Sequence, residues 1–207
     1  YRQPQSGKVF VDTSDGFRFE KSGNSYTLIS YFGNSDTVTL PKKIDGNSYT
    51  LYHFTGAKNV IISDGFSEIN REAFRFSNVE SIVISDSVRS IGESAFEGCP
   101  LLNSITFGKA KMKIGSNAFR DCKSLQSIVI PKSLTTIGDR PFELGIEIRS
   151  HSYRFVVEDD LLIDLEEKRL IQCVSEKKRM FIPDSITIIG NNAFGHHTSL
   201  KSIVISD

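Results

Sequence analysis

Residues Ile91-Gly92-Glu93-Ser94-Ala95-Phe96 and Ile114-Gly115-Ser116-Asn117-Ala118-Phe119 are two copies of one phrase. Each runs on through a cysteine (Cys99, Cys122) and a leucine (Leu102, Leu125) into a β-branched string. Phe96 and Phe119 lie 23 residues apart, with the leucines and isoleucines at matching offsets. Self-similarity at a fixed period of about 20–50 residues marks stacked supersecondary units. Each unit is too small to bury its own apolar face and shares a core with its neighbours. The apolar fraction of 39% is slightly low, as that sharing allows.

The units begin near Ala57. Val60-Ile61-Ile62, Val79 to Ile84, Leu102 to Phe107, Leu125 to Ile130 and Leu200 to Ile205 hold the strand position, most as apolar-x-x-apolar-x-apolar strings. Alternation along a strand turns Ile82 and Ile84 inward and Ser81 and Val83 outward. The Ala-Phe pair falls in the return half of each unit, on a short helical turn, with the ring in the shared core. Burying such a phenylalanine contributes about 1.5–3 kcal/mol. Gly92, Gly115, Gly138 and Gly190 share one slot, which Asn70 takes in the first unit. Glycine with asparagine as substitute is what a left-handed backbone selects, so positive φ is expected there. Cys99 and Cys122 share another slot with Ser77 and His197. It reads as a partly polar position near the solenoid edge, its cysteines acting as buried thiols.

Residues 1–15 read as a linker or frayed start. Residues 16–56 read as an N-terminal hairpin unit: Phe17 to Glu20 and Tyr26 to Tyr31 alternate around Gly23-Asn24. The solenoid occupies 57–207. Its series breaks after Phe142, where the Cys-x-x-Leu turn is missing, and a β-meander is expected at about 150–178. Phe142 and Phe194 are 52 residues apart, about two periods plus six, so the meander replaces parts of two coils. Tyr153-Arg154-Phe155 echoes Phe17-Arg18-Phe19, which suggests that the hairpin segments are variants of one unit. No polar closing unit follows Ile205, so further repeats or another chain are expected to cover that end. The chain opens on Tyr1 rather than methionine, so the lack of a leader is not read as cytosolic location.

The phrase Ile-Gly-x-x-Ala-Phe, Cys-x-x-Leu, x-x-Ile-x-Ile, with Pro131-Lys132-Ser133-Leu134 and Pro183-Asp184-Ser185-Ile186, resembles the BspA-like (Treponema-type) leucine-rich repeat family. The resemblance covers about residues 57–148 and 179–207. Pro141 departs from the usual alanine and His197 from the usual cysteine. The resemblance implies bacterial or protist surface or secreted proteins, some of which bind host matrix proteins or cells. It implies no enzyme activity and brings no fixed ligand residues.

Lys plus Arg equals Asp plus Glu at 25 each, so no net field draws in nucleic acid or an anionic membrane. No apolar run of about 18 residues is present to span a bilayer. His196-His197 is the tempting metal pair, but strand neighbours point to opposite faces and no third ligand is in view. The acidic group Glu158, Asp159, Asp160, Asp164, Glu166 and Glu167 lacks calcium-loop spacing and reads as a solvated turn. No nucleophile elbow or phosphate loop occurs. No cofactor or metal is expected, and an enzyme is the lower alternative.

The outward positions remain. Ser81, Ser104, Ser127 and Ser202 form one expected column and Val83, Thr106, Val129 and Val204 the next. Sheet propensity and cross-strand packing account for such columns structurally. An exposed aliphatic column is also a recognition surface. The sequence therefore reads as a right-handed leucine-rich repeat solenoid of the α/β type, β-rich with short helical turns, one parallel sheet and hairpin-type variant units. Its expected role is a non-catalytic, extracellular or cell-surface protein-binding module. An adhesin for host matrix or cell-surface proteins is the finer reading and a structural spacer the alternative.

Overall fold

The computed structural model describes residues 9–205. The chain winds as a β-solenoid of about eight turns. β1 (Val9–Asp12), β2 (Phe17–Ser22) and β3 (Ser25–Tyr31) are antiparallel, and β3 pairs in parallel with β5 (Tyr49–Thr55). β4 (Thr37–Thr39) opens the first solenoid sheet, followed in parallel register by β6 (Asn59–Ile62), β8 (Ser81–Ile84) and β10 (Ser104–Thr106). A second parallel sheet takes β7 (Glu68–Ile69), β9 (Ser90–Ile91), β11 (Met112–Ile114) and β13 (Leu134–Ile137). β12 (Ser127–Ile130) pairs with β14 (Glu147–Ser150) in a separate two-stranded sheet.

Beyond it, β15 (Phe155–Glu158), β16 (Leu161–Asp164) and β17 (Arg169–Cys173) make an antiparallel meander, and β17 pairs in parallel with β19 (Ile188–Ile189). β18 (Arg179–Ile182) pairs with β20 (Ser202–Ile205). The order β1-β2-β3-β5 is thus repeated by β15-β16-β17-β19, antiparallel twice and then parallel. β4 and β18 leave these units in the same way to start a parallel ladder. The unit recurs, but not through the sequence echo that suggested it: Phe17-Arg18-Phe19 lies on the second strand of its unit, Phe155 on the first strand of the other.

Three expectations are corrected here. β1 occupies part of the stretch read as a linker, paired with β2 from Val9↔Lys21 to Asp12↔Arg18; residues 1–8 lie outside the described range. The coils carry two solenoid sheets rather than one. No helix occurs among the described residues, hence none long and apolar enough to cross a membrane.

The return arc explains the missing helix. Glu72, Ser94, Asn117, Arg140 and Asn192 have positive φ (46–58°), as do Phe76, Gly98, Asp121 and His196 (58–71°) four residues on. A left-handed residue at every fourth position interrupts any right-handed helix. The N–H groups alternate instead. Ala95, Glu97 and Cys99 close turns within their coil, onto the carbonyls of Gly92, Ser94 and Phe96. Ser94, Phe96 and Gly98 donate to Ser116, Ala118 and Arg120 of the next coil at 2.8–3.0 Å. This is a third ladder between coils. It tolerates Pro141, because Phe119 N–H needs only that residue's carbonyl (2.7 Å).

The glycine slot has a different cause from the one expected. Gly92, Gly115, Gly138, Gly190 and Asn70 do not have positive φ. A Cβ on Gly92 would stand 2.5 Å from Arg71 N, and one on Gly115 would stand 2.6 Å from Glu93 N. The slot is glycine because the backbone of the preceding coil passes through the space a side chain would fill.

The core runs through the coil centres. Phe74, Phe96, Phe119 and Phe142 are wholly buried and stack at centroid spacings of 5.1, 5.2 and 6.0 Å, with interplanar angles of 18° or less. Above Phe142, buried Gln172 imitates a peptide group: its Nε2 donates to Phe142 O (3.0 Å) and its Oε1 accepts from Phe142 N (3.3 Å).

Candidate functional site

Ile82, Ile84, Ile128 and Ile130 point inward and are buried, while Val83 and Val129 are 41% and 43% exposed. Strand alternation therefore sets the outward face as expected, with one change in its continuity. Ser104 lies in register with Ser81, and Thr106 with Val83. The columns extend the other way, through Asn59 and Thr37 and through Ile61 and Thr39. Ser81 Oγ donates to Asn59 Oδ1 at 2.6 Å.

Ser127 and Val129 do not continue these columns by pairing. No bridge joins β10 to β12; β12 pairs instead with β14, which sets Glu147 beside Ser127 and Arg149 beside Val129. Ser202 and Val204 stand apart on β20, beside Arg179 and Phe181 of β18. Their inward neighbours Ile203 and Ile205 are 40% and 61% exposed.

The same coils remain stacked at their other corners, through β11–β13 and the Phe119–Phe142 bridge. The first sheet is therefore splayed open between two coils that are joined behind it. Two residues account for this. Phe107 takes an inward slot held elsewhere by Ile62, Ile84 and Ile130, and its ring meets Phe119 edge-on at 6.3 Å. Pro131 stands where Ser85 donates to Ile62 O (3.1 Å) in an earlier coil, and it has no N–H to give Phe107.

The opening is a groove of about 390 Å³, within the range of ligand-binding clefts. Ser104, Thr106, Ser127 and Val129 form its rims, with Ile105, Phe107 and Ile128 beneath. None of its lining side chains is charged. On the adjacent strand, Glu147 and Arg149 neutralise each other at 2.8 Å. Four of the eight sequence candidates thus meet around one cleft. Phe107, a ring where other repeats carry isoleucine, was not singled out, and Pro131 was read only as part of the repeat phrase, in a slot that Pro183 shares.

The remaining polar groups serve the scaffold. Cys99 and Cys122 are free, buried thiols that donate to Phe74 O (2.9 Å) and Phe96 O (3.1 Å). His197 Nε2 lies 3.2 Å from Cys173 O. Their slot is a side-chain donor to the preceding coil, and for the cysteines it is core rather than edge. A thiol–thiol hydrogen bond with Cys99 and burial push the Cys122 thiol well above the usual range. Asp164 is not part of a solvated turn. It is 3% exposed and bound by Arg154 through both oxygens at 2.9 and 2.7 Å, which raises the guanidinium pKa. On the return arcs Arg75 and Arg120 share Glu97 at 3.2 and 3.5 Å. No group of three His, Cys, Asp or Glu among the described residues is placed to hold a metal.

Against this geometry, the family model for the BspA type leucine rich repeat region matches in six copies over residues 31–157 and 162–207. The chain belongs to this family. Its repeats are generally protein-binding or surface-associated. No curated protein matches. Among solved structures, the pneumococcal vaccine antigen PcpA aligns at 18% identity with a TM-score of 0.66, over 98% of this chain and 66% of that one. A leucine-rich repeat protein from Eubacterium ventriosum aligns at 18% identity and TM-score 0.54, over 97% and 60%. These likenesses show the fold, and the chain spans less than two thirds of the length of either structure.

Proposed function

We propose that the protein is a non-catalytic protein-binding module of a surface or secreted protein, and that it binds through the outward face of β8, β10 and β12. The observation that carries this is the exposure of Val83 and Val129 on a face whose other side chains are neutral hydroxyls. Aliphatic side chains held outward beside an uncharged cleft favour a desolvated protein contact over a solvated spacer. An adhesin for host matrix or cell-surface proteins is the specific form of this reading, and it fits the antigen character that the pneumococcal neighbour's name carries. The spacer alternative has no binding to lose.

The test is binding to a panel of purified extracellular-matrix proteins, with the Val83→Glu, Thr106→Glu, Val129→Glu triple variant beside the wild type. Loss of at least tenfold in affinity with unchanged circular dichroism is expected. Equal binding by both proteins moves the site off this face. Binding by neither favours the spacer.

A further inference from the structure

Splaying β10 from β12 exposes more than side chains, because it leaves two strand edges facing each other. In a parallel ladder, successive residues turn their N–H and C=O alternately toward the two neighbouring strands. Ser104 N–H donates to Glu80 O (3.4 Å), which turns Ser104 and Thr106 toward β8 and Ile105 toward the gap. On the far rim, Glu147 N–H donates to Gln126 O and His151 N–H to Ile130 O, both at 2.9 Å. Residues 126, 128 and 130 therefore face β14, and Ser127 and Val129 turn their peptide groups into the gap. Unpaired edges of this kind are templates for another strand.

We infer that the groove between β10 and β12 is a socket for one extended polypeptide segment whose inward-facing side chains are uncharged. The segment enters as an added strand and bonds to Ile105 on one side and to Ser127 and Val129 on the other. This rests on the protein-binding reading and narrows it to a mode of recognition, main-chain hydrogen bonding with side-chain selection by alternation. The lining fixes the occupant's chemistry. With no charge among its side chains, the groove gives a buried Asp, Glu, Lys or Arg nothing to pair with. Alternate side chains of the segment lie over the half-buried Ile105 and Phe107 and must be apolar, while those between them face solvent. Proline is excluded wherever the segment must donate.

Amide hydrogen exchange on the free protein comes first. Ile105, Ser127 and Val129 are expected to exchange at least 100-fold faster than Val83 and Arg149, which lie within closed ladders. Slow exchange at all three would mean that β10 and β12 pair directly, and the inference falls. A displayed library of random linear octapeptides is then selected on wild-type protein. Enriched peptides should lack charge at alternate, inward-facing central positions and lack central proline. N-methylation should cost tenfold or more at successive central positions, whose N–H groups face the two rims in turn, but little at the peptide ends. Val129→Pro removes one rim donor but keeps the Gln126 and Ile130 carbonyls that hold β14, and it should weaken every selected peptide tenfold.

Absence of enriched peptides, or a flat N-methyl profile, overturns the socket. The broader reading is separable. If whole-protein binding is lost in Val83→Glu, outside the groove, yet is indifferent to Val129→Pro, the binding face stands and the socket does not.

Discussion

Replacing Gly115 separates two explanations that the sequence leaves indistinguishable. If the slot required a left-handed backbone, asparagine would serve nearly as well as glycine, because it tolerates that conformation. The observed backbone has no positive φ there, and the constraint is the neighbouring coil: a Cβ would meet Glu93 N at 2.6 Å and Gly92 C at 2.7 Å. Both are backbone atoms with no rotamer to yield. The strained bond would be Gly115 N–H to Ile91 O, now 2.8 Å, in the middle of the second sheet. Overpacking of this kind costs about 1–3 kcal/mol. In a domain of this size each kcal/mol lowers Tm by about 2–4 °C, so Gly115→Ala should melt about 2–12 °C below wild type. Gly115→Asn should melt no higher than Gly115→Ala. Asn117 provides the internal control, since its φ of 56° is left-handed and Asn117→Gly should cost little. Thermal melts of the three variants by far-ultraviolet circular dichroism decide the matter. A Gly115→Asn variant as stable as wild type would refute the contact argument.

Phe96→Ala should cost about 3–5 kcal/mol in urea unfolding, because Phe96 is wholly buried between Phe74 and Phe119; Phe96→Leu should cost clearly less, and equal losses would argue against the ring stack. Tyr49 donates its hydroxyl to Pro41 O, and burial raises its pKa far above the ordinary tyrosine value of about 10. The folded state then keeps a proton that the unfolded chain loses, so this contribution to stability is intact below about pH 10 and declines as pH rises past it. Tyr49→Phe should cost about 0.5–1.5 kcal/mol at pH 7 and flatten that alkaline decline; parallel pH–stability curves for the two proteins would contradict the assignment.

The coil itself was legible because its determinants are local and repeated. Inward Ile82 and Ile84, outward Val83 and the buried Ala-Phe pair follow from alternation and period, which each copy restates. The return arc was misread because turn and helix share a residue pattern over so short a span. Only the φ values at Ser94 and Gly98 distinguish them. The glycine slot shows the same limit: Gly92 is conspicuous in the sequence, but its reason lies in the Asn70–Arg71 backbone of another coil. The candidate site was half legible. Ser104, Thr106, Ser127 and Val129 were found by assuming that every coil pairs like the last. The groove exists because that assumption fails at one junction, through the larger ring of Phe107 and the missing donor of Pro131.

That junction also has a mechanical meaning. Inter-coil hydrogen bonds run along the solenoid axis, so a pull on the two ends loads them in tension, coil by coil. The coils of Phe74 and Phe96 are joined at three corners, by β6–β8, by β7–β9 and by the return ladder. Those of Phe119 and Phe142 are joined at two, leaving a hinge whose free corner is the groove. Stretching the protein and filling the groove therefore act on one coordinate: load widens the gap, and a strand bonded to both rims clamps it shut.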